Sequence, residues 1–161
     1  MSARFSLDAI DGRLLEQMQA DARMSVATLA DRVGLSEAAC YRRLRILRSK
    51  GVIDREIAIV RPKVLGWPLS MLVLVTLERE RTQSIARLTQ ALSQCPQVVD
   101  IWYVTGGHDF VLRIIARNME EYDSLTRELL NADESVRSFE TLVVMRHVKE
   151  LGPMPDGREI D

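Results

Sequence analysis

Between Ser25 and Gly51 the chain reads SVATLADRVGLSEAACYRRLRILRSKG, and that stretch leaves few folds open. Val26, Leu29, Ala30 and Val33 recur at helical spacing and form one apolar face. Gly34 follows, a residue that can end a helix in the left-handed conformation without a Cβ clash. After Leu35, Ser36 is placed to cap a second helix, its hydroxyl accepting from a backbone N–H that no helical carbonyl reaches. Helix, glycine turn and capped helix at this spacing predict a helix-turn-helix.

The second helix separates into two faces. Cys40, Leu44 and Leu47 fall on one stripe and can pack on the first helix, while Ala38, Tyr41, Arg42, Arg45 and Ser49 fall roughly opposite. Small side chains allow close approach to a DNA major groove, arginine can fork onto guanine O6 and N7, and other cations hold phosphates. Arg42, Arg43, Arg45, Arg48 and Lys50 are basic, and no acidic residue lies among them. A basic run alone also describes an ordinary solvated face. The turn, the cap and the separation of faces together favour a DNA reader, with Ser36, Ala38, Tyr41, Arg42, Arg43, Arg45 and Arg48 as its expected contacts.

These residues carry a resemblance. GLSEAACYRRLRILRSKGVI is similar to the DNA-reading helix and following turn of the Lrp/AsnC (feast/famine) transcription regulators, with its Gly-Leu-Ser turn, mid-helix cysteine and scattered arginines. LDAIDGRLLEQMQADARMSVATLADRVGLS resembles the start of that family, with its Leu-Asp-x-x-Asp opening.

Charge is consistent with a DNA-facing N-terminal part but decides little. Residues 1–60 hold 10 Lys+Arg against 8 Asp+Glu, a balance of +2, and residues 61–161 hold 12 against 15, a balance of −3. Cys40 and Cys95 are the only cysteines and do not suggest a pair, so a reducing compartment is the simpler reading. No apolar run fits a signal peptide or a bilayer span, and the chain is expected to be cytoplasmic.

A first helix is expected over residues 8–20, entered from Ser6 or Asp8, with Ile10, Leu14, Leu15 and Met18 buried. After Gly51, VIDREIAIV alternates as a short strand or wing does, and Arg55 is its candidate DNA contact. RPKVLGWPL, residues 61–69, holds two prolines and a glycine and marks the boundary between domains 1–60 and 70–161. The rest reads as strand 70–79, helix 83–94 with Ile85, Leu88 and Leu92 inward, strands VVDIWYVTG and HDFVLRIIAR, a helix from an Asn118–Glu121 capping box to about Leu130, and a strand from Val136 to Val148. The fold class is therefore α+β: an N-terminal winged helix-turn-helix domain joined to a C-terminal ferredoxin-like βαββαβ domain. VTGGHDFVLRI and TLVVMRHVK resemble the effector-binding domain of the same family.

Sheet patterning argues for assembly. A sheet covered on one face should alternate, yet Met71–Val75 is continuously apolar, and Val98–Val99 and Ile114–Ile115 place apolar side chains on both faces. A second copy is the expected cover, giving a homodimer. The family resemblance implies assembly of dimers into rings, a tetramer or an octamer of dimers.

In the loop YVTGGHDF, the backbone N–H groups of Gly106 and Gly107 suit a carboxylate and Asp109 suits an ammonium group, the two ends of an amino acid. A plain hairpin turn accounts for two glycines equally well. The resemblance implies an effector pocket from this loop and the last strand, with Tyr103, Thr105, Gly106, Gly107, His108, Asp109 and Thr141 at the matching positions. Many family members carry an acidic residue after the first loop glycine, where this chain has Gly107 and then His108. Trp102 and Tyr103 alternate across their strand, and either could wall the pocket.

No hydrolase elbow, phosphate loop or zinc helix is present, and the two histidines fit no metal spacing. The chain is read as a regulator and not an enzyme, with no cofactor, binding double-stranded DNA and a small-molecule effector, an amino acid or relative. The alternative is an effector-independent DNA-organising protein.

Overall fold

The computed structural model describes residues 6–78, 82–149, 152–155 and 157. They fall into two compact units. One holds the described residues through Ala58 and those from Val148 onward; the other spans Ile59–His147. The segment from Val148 onward is thus grouped with the helices before the expected linker 61–69 and not with the sheet. The Gln19 side chain donates to the Met154 carbonyl (3.2 Å) and accepts from the Met154 N–H (2.8 Å), so that segment packs with the first unit. A glutamine amide carries a donor and an acceptor side by side, which matches the edge of one extended residue.

In the first unit, α1 (Ala9–Ala20), α2 (Val26–Val33) and α3 (Glu37–Ser49) form the expected three-helix arrangement. Each start has its cap. Asp8 and Asp11 bond each other's backbone N–H, Ser25 accepts from Thr28 N, and Ser36 accepts from Ala39 N. Gly34 ends α2 at φ +73°, the left-handed geometry its position calls for. Leu14, Met18, Leu29, Ala30, Val33, Cys40 and Leu44 make the core, with each fully buried leucine contributing about 1.5–3 kcal/mol. Leu15 is only half-buried; its expected place on the inward stripe is taken by Asp11, 6% exposed.

The strand expected after Gly51 is absent. Residues 54–60 form no ladder with any described residue, and Ile57 and Ile59 are each 68% exposed. Alternation prepares a segment for a sheet, but a strand needs a neighbour for its N–H and C=O groups.

The second unit opens with a short 3-10 turn, Pro62–Leu65. Then come β1 (Leu69–Leu77), α4 (Thr82–Gln94), β2 (Val98–Tyr103), β3 (Phe110–Ala116), α5 (Met119–Thr126) and β4 (Val136–Val143). The sheet is antiparallel in the order β2-β3-β1-β4, which is the ferredoxin-like topology. Met71, Val73, Val75, Phe110, Leu112 and Ile114 face α4 and α5 and pack with Leu88, Leu92, Tyr122 and Leu130. The last position of the strand expected over 70–79 lies outside the described residues.

Two boundaries and one cap differ from expectation. The last strand stops at Val143 rather than Val148, opposite Met71, with one further bond from the Val144 N–H to the Ser70 carbonyl (2.9 Å). The second helix of this unit gives way at Thr126 to a π-turn over Arg127–Asn131. The Thr126 hydroxyl donates back to the Tyr122 and Asp123 carbonyls (3.1 and 3.2 Å), a bond that loosens the helical ladder. The Asn118–Glu121 capping box is half made. Asn118 accepts from Glu121 N (2.8 Å), but the Glu121 carboxylate turns to the N–H and guanidinium of Arg117.

Candidate nucleic-acid interface and ligand loop

Buried Cys40, Leu44 and Leu47 press α3 onto the first unit and leave Ala38, Tyr41, Arg42 and Arg45 exposed on its outer side. No hydrogen bond or ion pair joins Tyr41, Arg42 or Arg45 to another described residue. Ser36 stands at the exposed start of the helix and spends its oxygen on the cap. The outer face is therefore cationic, with a phenol beside it and a methyl group low enough to allow close approach.

Two arginines of the expected contact set are already engaged. Arg43 Nη1 lies 2.6 Å from Asp8 Oδ2 and 2.8 Å from Asp11 Oδ1. Hydrogen bonds that it donates to Asp11 and then Asp8 hold the Arg43 guanidinium above its ordinary pKa. The Asp11 N–H holds the Asp8 carboxyl below its usual range; burial opposes it, and Arg43 adds to the lowering. Arg48 gives both Nε (3.1 Å) and Nη2 (2.7 Å) to one Glu56 oxygen on an exposed pair. Arg55, expected on the wing, lies in the unpaired segment and 3.7 Å from its neighbour Asp54. The ion pairs of Arg43 with Asp8 and Asp11 escaped the sequence reading, although Leu-Asp-x-x-Asp already set the two acids three residues apart on one helical start. Burial raises the Cys40 thiol, the opposite of what a reactive cysteine needs.

In the second unit the loop Val104–Asp109 joins β2 to β3 and is closed by Val104 N donating to the Asp109 carbonyl (2.9 Å). Gly106 sits at φ +131°, which favours glycine, while Gly107 needs no such geometry. Thr105, Gly106 and Gly107 are exposed. Asp109 has an internal task. The Leu77 N–H lies on the β3 side of β1, just past the last ladder pair Val75–Phe110, and Asp109 Oδ2 accepts it at 2.7 Å. One carboxylate oxygen is thereby committed, and an ammonium group would have to use the other.

Register settles which aromatic faces which way. Tyr103 pairs with Phe110 on the helix side, their rings 5.1 Å apart, and Trp102 pairs with Val111 on the open side. His108 Nδ1 meets Thr76 Oγ1 at 3.1 Å, and Thr76 also belongs to the open face. Thr141 does not join them. It pairs with Val73, points to the helix side, and its hydroxyl bonds the buried Tyr122 phenol, whose pKa burial raises. Within one chain His108 and Thr141 therefore lie toward opposite faces of the sheet. One cleft is lined by Arg87, Glu128, Ala132, Asp133 and Glu134, another by Asp11, Arg42, Arg43 and Ile46.

The open sheet face carries Leu72, Leu74, Trp102, Val111, Ile115 and Leu142, with Trp102 44% and Leu142 43% exposed. Among the described residues no His, Cys, Asp or Glu cluster could hold a metal, and no helix is long and apolar enough to cross a membrane.

Comparison with known proteins supplies the context. Residues 7–48 match the AsnC-type helix-turn-helix domain, and residues 70–154 match the Lrp/AsnC ligand binding domain. An HTH-type transcriptional regulator of Sinorhizobium fredii is 42% identical over 149 residues, 92% of this chain and 88% of the relative. The leucine-responsive regulatory protein of Rhizobium meliloti is 33% identical over 150 residues, covering 93% and 96%. Among solved structures, a feast or famine regulatory protein from M. tuberculosis complexed with L-methionine superposes with a TM-score of 0.79 at 26% identity, covering 97% of this chain and 100% of that one.

Proposed function

Since this chain belongs to the Lrp/AsnC family of DNA-binding transcriptional regulators, we propose that it binds specific double-stranded operator DNA through α3 and that an amino acid or close relative modulates the binding. Its family and relatives are regulators, not enzymes. The observation that carries the DNA reading is the outer face of α3: Tyr41, Arg42 and Arg45 are exposed and make no hydrogen bond or ion pair with the described residues. Arg42 and Arg45 have the donors for guanine edges and phosphates, and Ala38 leaves room for the groove. Arg48 joins them when a phosphate displaces Glu56.

An effector site in the second unit is supported by the loop Val104–Asp109. Its exposed glycine amides suit a carboxylate, and Asp109 keeps one oxygen for an ammonium group. Thr141 faces away from His108, so both can act on one ligand only if a second copy supplies part of the pocket. The half-exposed apolar sheet face suits that second copy, which makes the working form at least a homodimer. Effector uptake at a subunit contact would bias how two DNA-reading helices are spaced.

Fluorescence anisotropy with DNA from upstream of the protein's own gene, against unrelated DNA at fixed salt, tests both claims. Preferential binding that shifts when one or a few amino acids are added is the expected result. Equal affinity for both DNAs would favour an organising protein, and preference indifferent to all amino acids would remove the effector.

A further inference from the structure

Arg43 lies on α3 beside Leu44, between the packed stripe and the outer face, with its side chain 28% exposed. One nitrogen bridges two carboxylates, Asp8 Oδ2 at 2.6 Å and Asp11 Oδ1 at 2.8 Å. The same two acids form the reciprocal cap at the start of α1, and the Asp11 side chain is only 8% exposed. A carboxylate at the first turn of a helix is stabilised by that end's positive field, and a buried one needs a cation. The result is a three-residue weld between the first turn of α1 and the middle of α3.

A weld of this kind has a direction that apolar packing lacks. Cys40, Leu44 and Leu47 keep α3 against the core, but a leucine stripe tolerates small rotations. A charged hydrogen bond of fixed geometry does not tolerate them, and small rotations decide where Tyr41, Arg42 and Arg45 point. Resting on the DNA-binding reading above, we propose that Arg43 is a positioning residue held by Asp8 and Asp11, which sets the angle of the DNA-reading helix and makes no DNA contact of its own.

The sign of one substitution separates this from the simpler view that Arg43 touches phosphate. If Asp11 merely shielded a DNA-binding arginine, Asp11→Asn would free a cation, remove a negative charge and tighten binding. If Asp11 holds the positioning arginine, Asp11→Asn weakens specific binding instead.

The test uses the full chain and a duplex recovered by wild-type protein from a random pool. Anisotropy against that duplex and unrelated DNA is followed across salt concentrations, with folded protein verified by circular dichroism. Asp11→Asn is expected to weaken specific binding about tenfold, leave unrelated DNA within about twofold, and keep the salt slope of the wild type. Arg45→Ala, on the outer face, should instead reduce the salt slope by about one. Asp8→Asn keeps a good cap and loses one pairing, so it gives a smaller loss of the same sign should Asp11→Asn not fold. Tighter binding by either acid variant, or an unchanged ratio of specific to unrelated affinity in the folded variant, overturns the proposal. A wild-type chain that selects no sequence overturns the DNA-reading proposal, and this one with it.

Discussion

At the scale of single residues, charge here is spent in pairs whose surroundings decide what they are for. Asp133 is the clearest case in the second unit. Burial alone would raise its carboxyl, but the Ser135 hydroxyl (2.6 Å), the Ser135 N–H (2.9 Å) and the Arg87 guanidinium (3.0 Å) together hold it below the usual range. A carboxyl whose folded pKa is depressed adds stability above its unfolded value, about 3.9, and gives it up as pH falls through the lower folded value. Asp133→Asn should therefore be about 1 kcal/mol less stable than wild type at pH 7, with the difference shrinking below about pH 4. Urea unfolding at several pH values checks this, and a difference independent of pH would show that the charge contributes nothing. Residue-scale pairing was also the least legible part of the sequence. Positions 11, 14 and 18 make the inward stripe of α1, whereas apolar spacing picks out Ile10, Leu14, Leu15 and Met18 and passes over the acid. A buried acid is sensible only once its cation is known, and Arg43 stands 32 residues away.

At the scale of elements, what is written locally was readable and what depends on a neighbour was not. Ser25, Gly34 and Ser36 act within a few residues of themselves, and the helices they bound start and stop where their chemistry directs. Gly34→Ala forces a Cβ into φ +73°, although nothing lies near enough to clash with it. The cost is thus conformational, about 1–2 kcal/mol. Native-state hydrogen exchange should show it as faster exchange at the Leu35 N–H, which donates to Ala30 across this turn, by roughly five- to thirtyfold. Unchanged protection there would mean that the turn does not need its glycine. The segment after Gly51 teaches the opposite lesson. Its alternation was real, but Ile57 and Ile59 have no described partner strand, and alternation records a face without naming what will cover it. The loop at 104–109 stood between these cases. Its position between two strands was plain, whereas the commitment of Asp109 to Leu77 depended on where the ladder between β1 and β3 ends.

For the whole molecule, the open sheet face is where the proposed assembly stands or falls. Trp102 is the largest side chain on it and lies near its β2 edge, opposite Val111. A stable interface buries about 800 Å² per partner and concentrates its energy in a few such aromatics. Trp102→Asp should raise the dimer dissociation constant at least about a hundredfold, visible as a shift to monomer in sedimentation at micromolar concentration. A chain that sediments unchanged after this substitution assembles through some other surface.

The pairing of Gln19 with Met154 carries a consequence for how the protein comes to be made. The ribosome delivers α1 before the sheet and the segment from Val148 onward after it. The three helices can form early, but their unit gains its last contacts only after the sheet-forming chain has been synthesised. A message broken after the codon for Val143 would yield every helix and strand described, yet leave Gln19 without its backbone partner. The three-helix unit thus reaches its full set of contacts only once the segment from Val148 onward has been made, and such a truncated product would lack them.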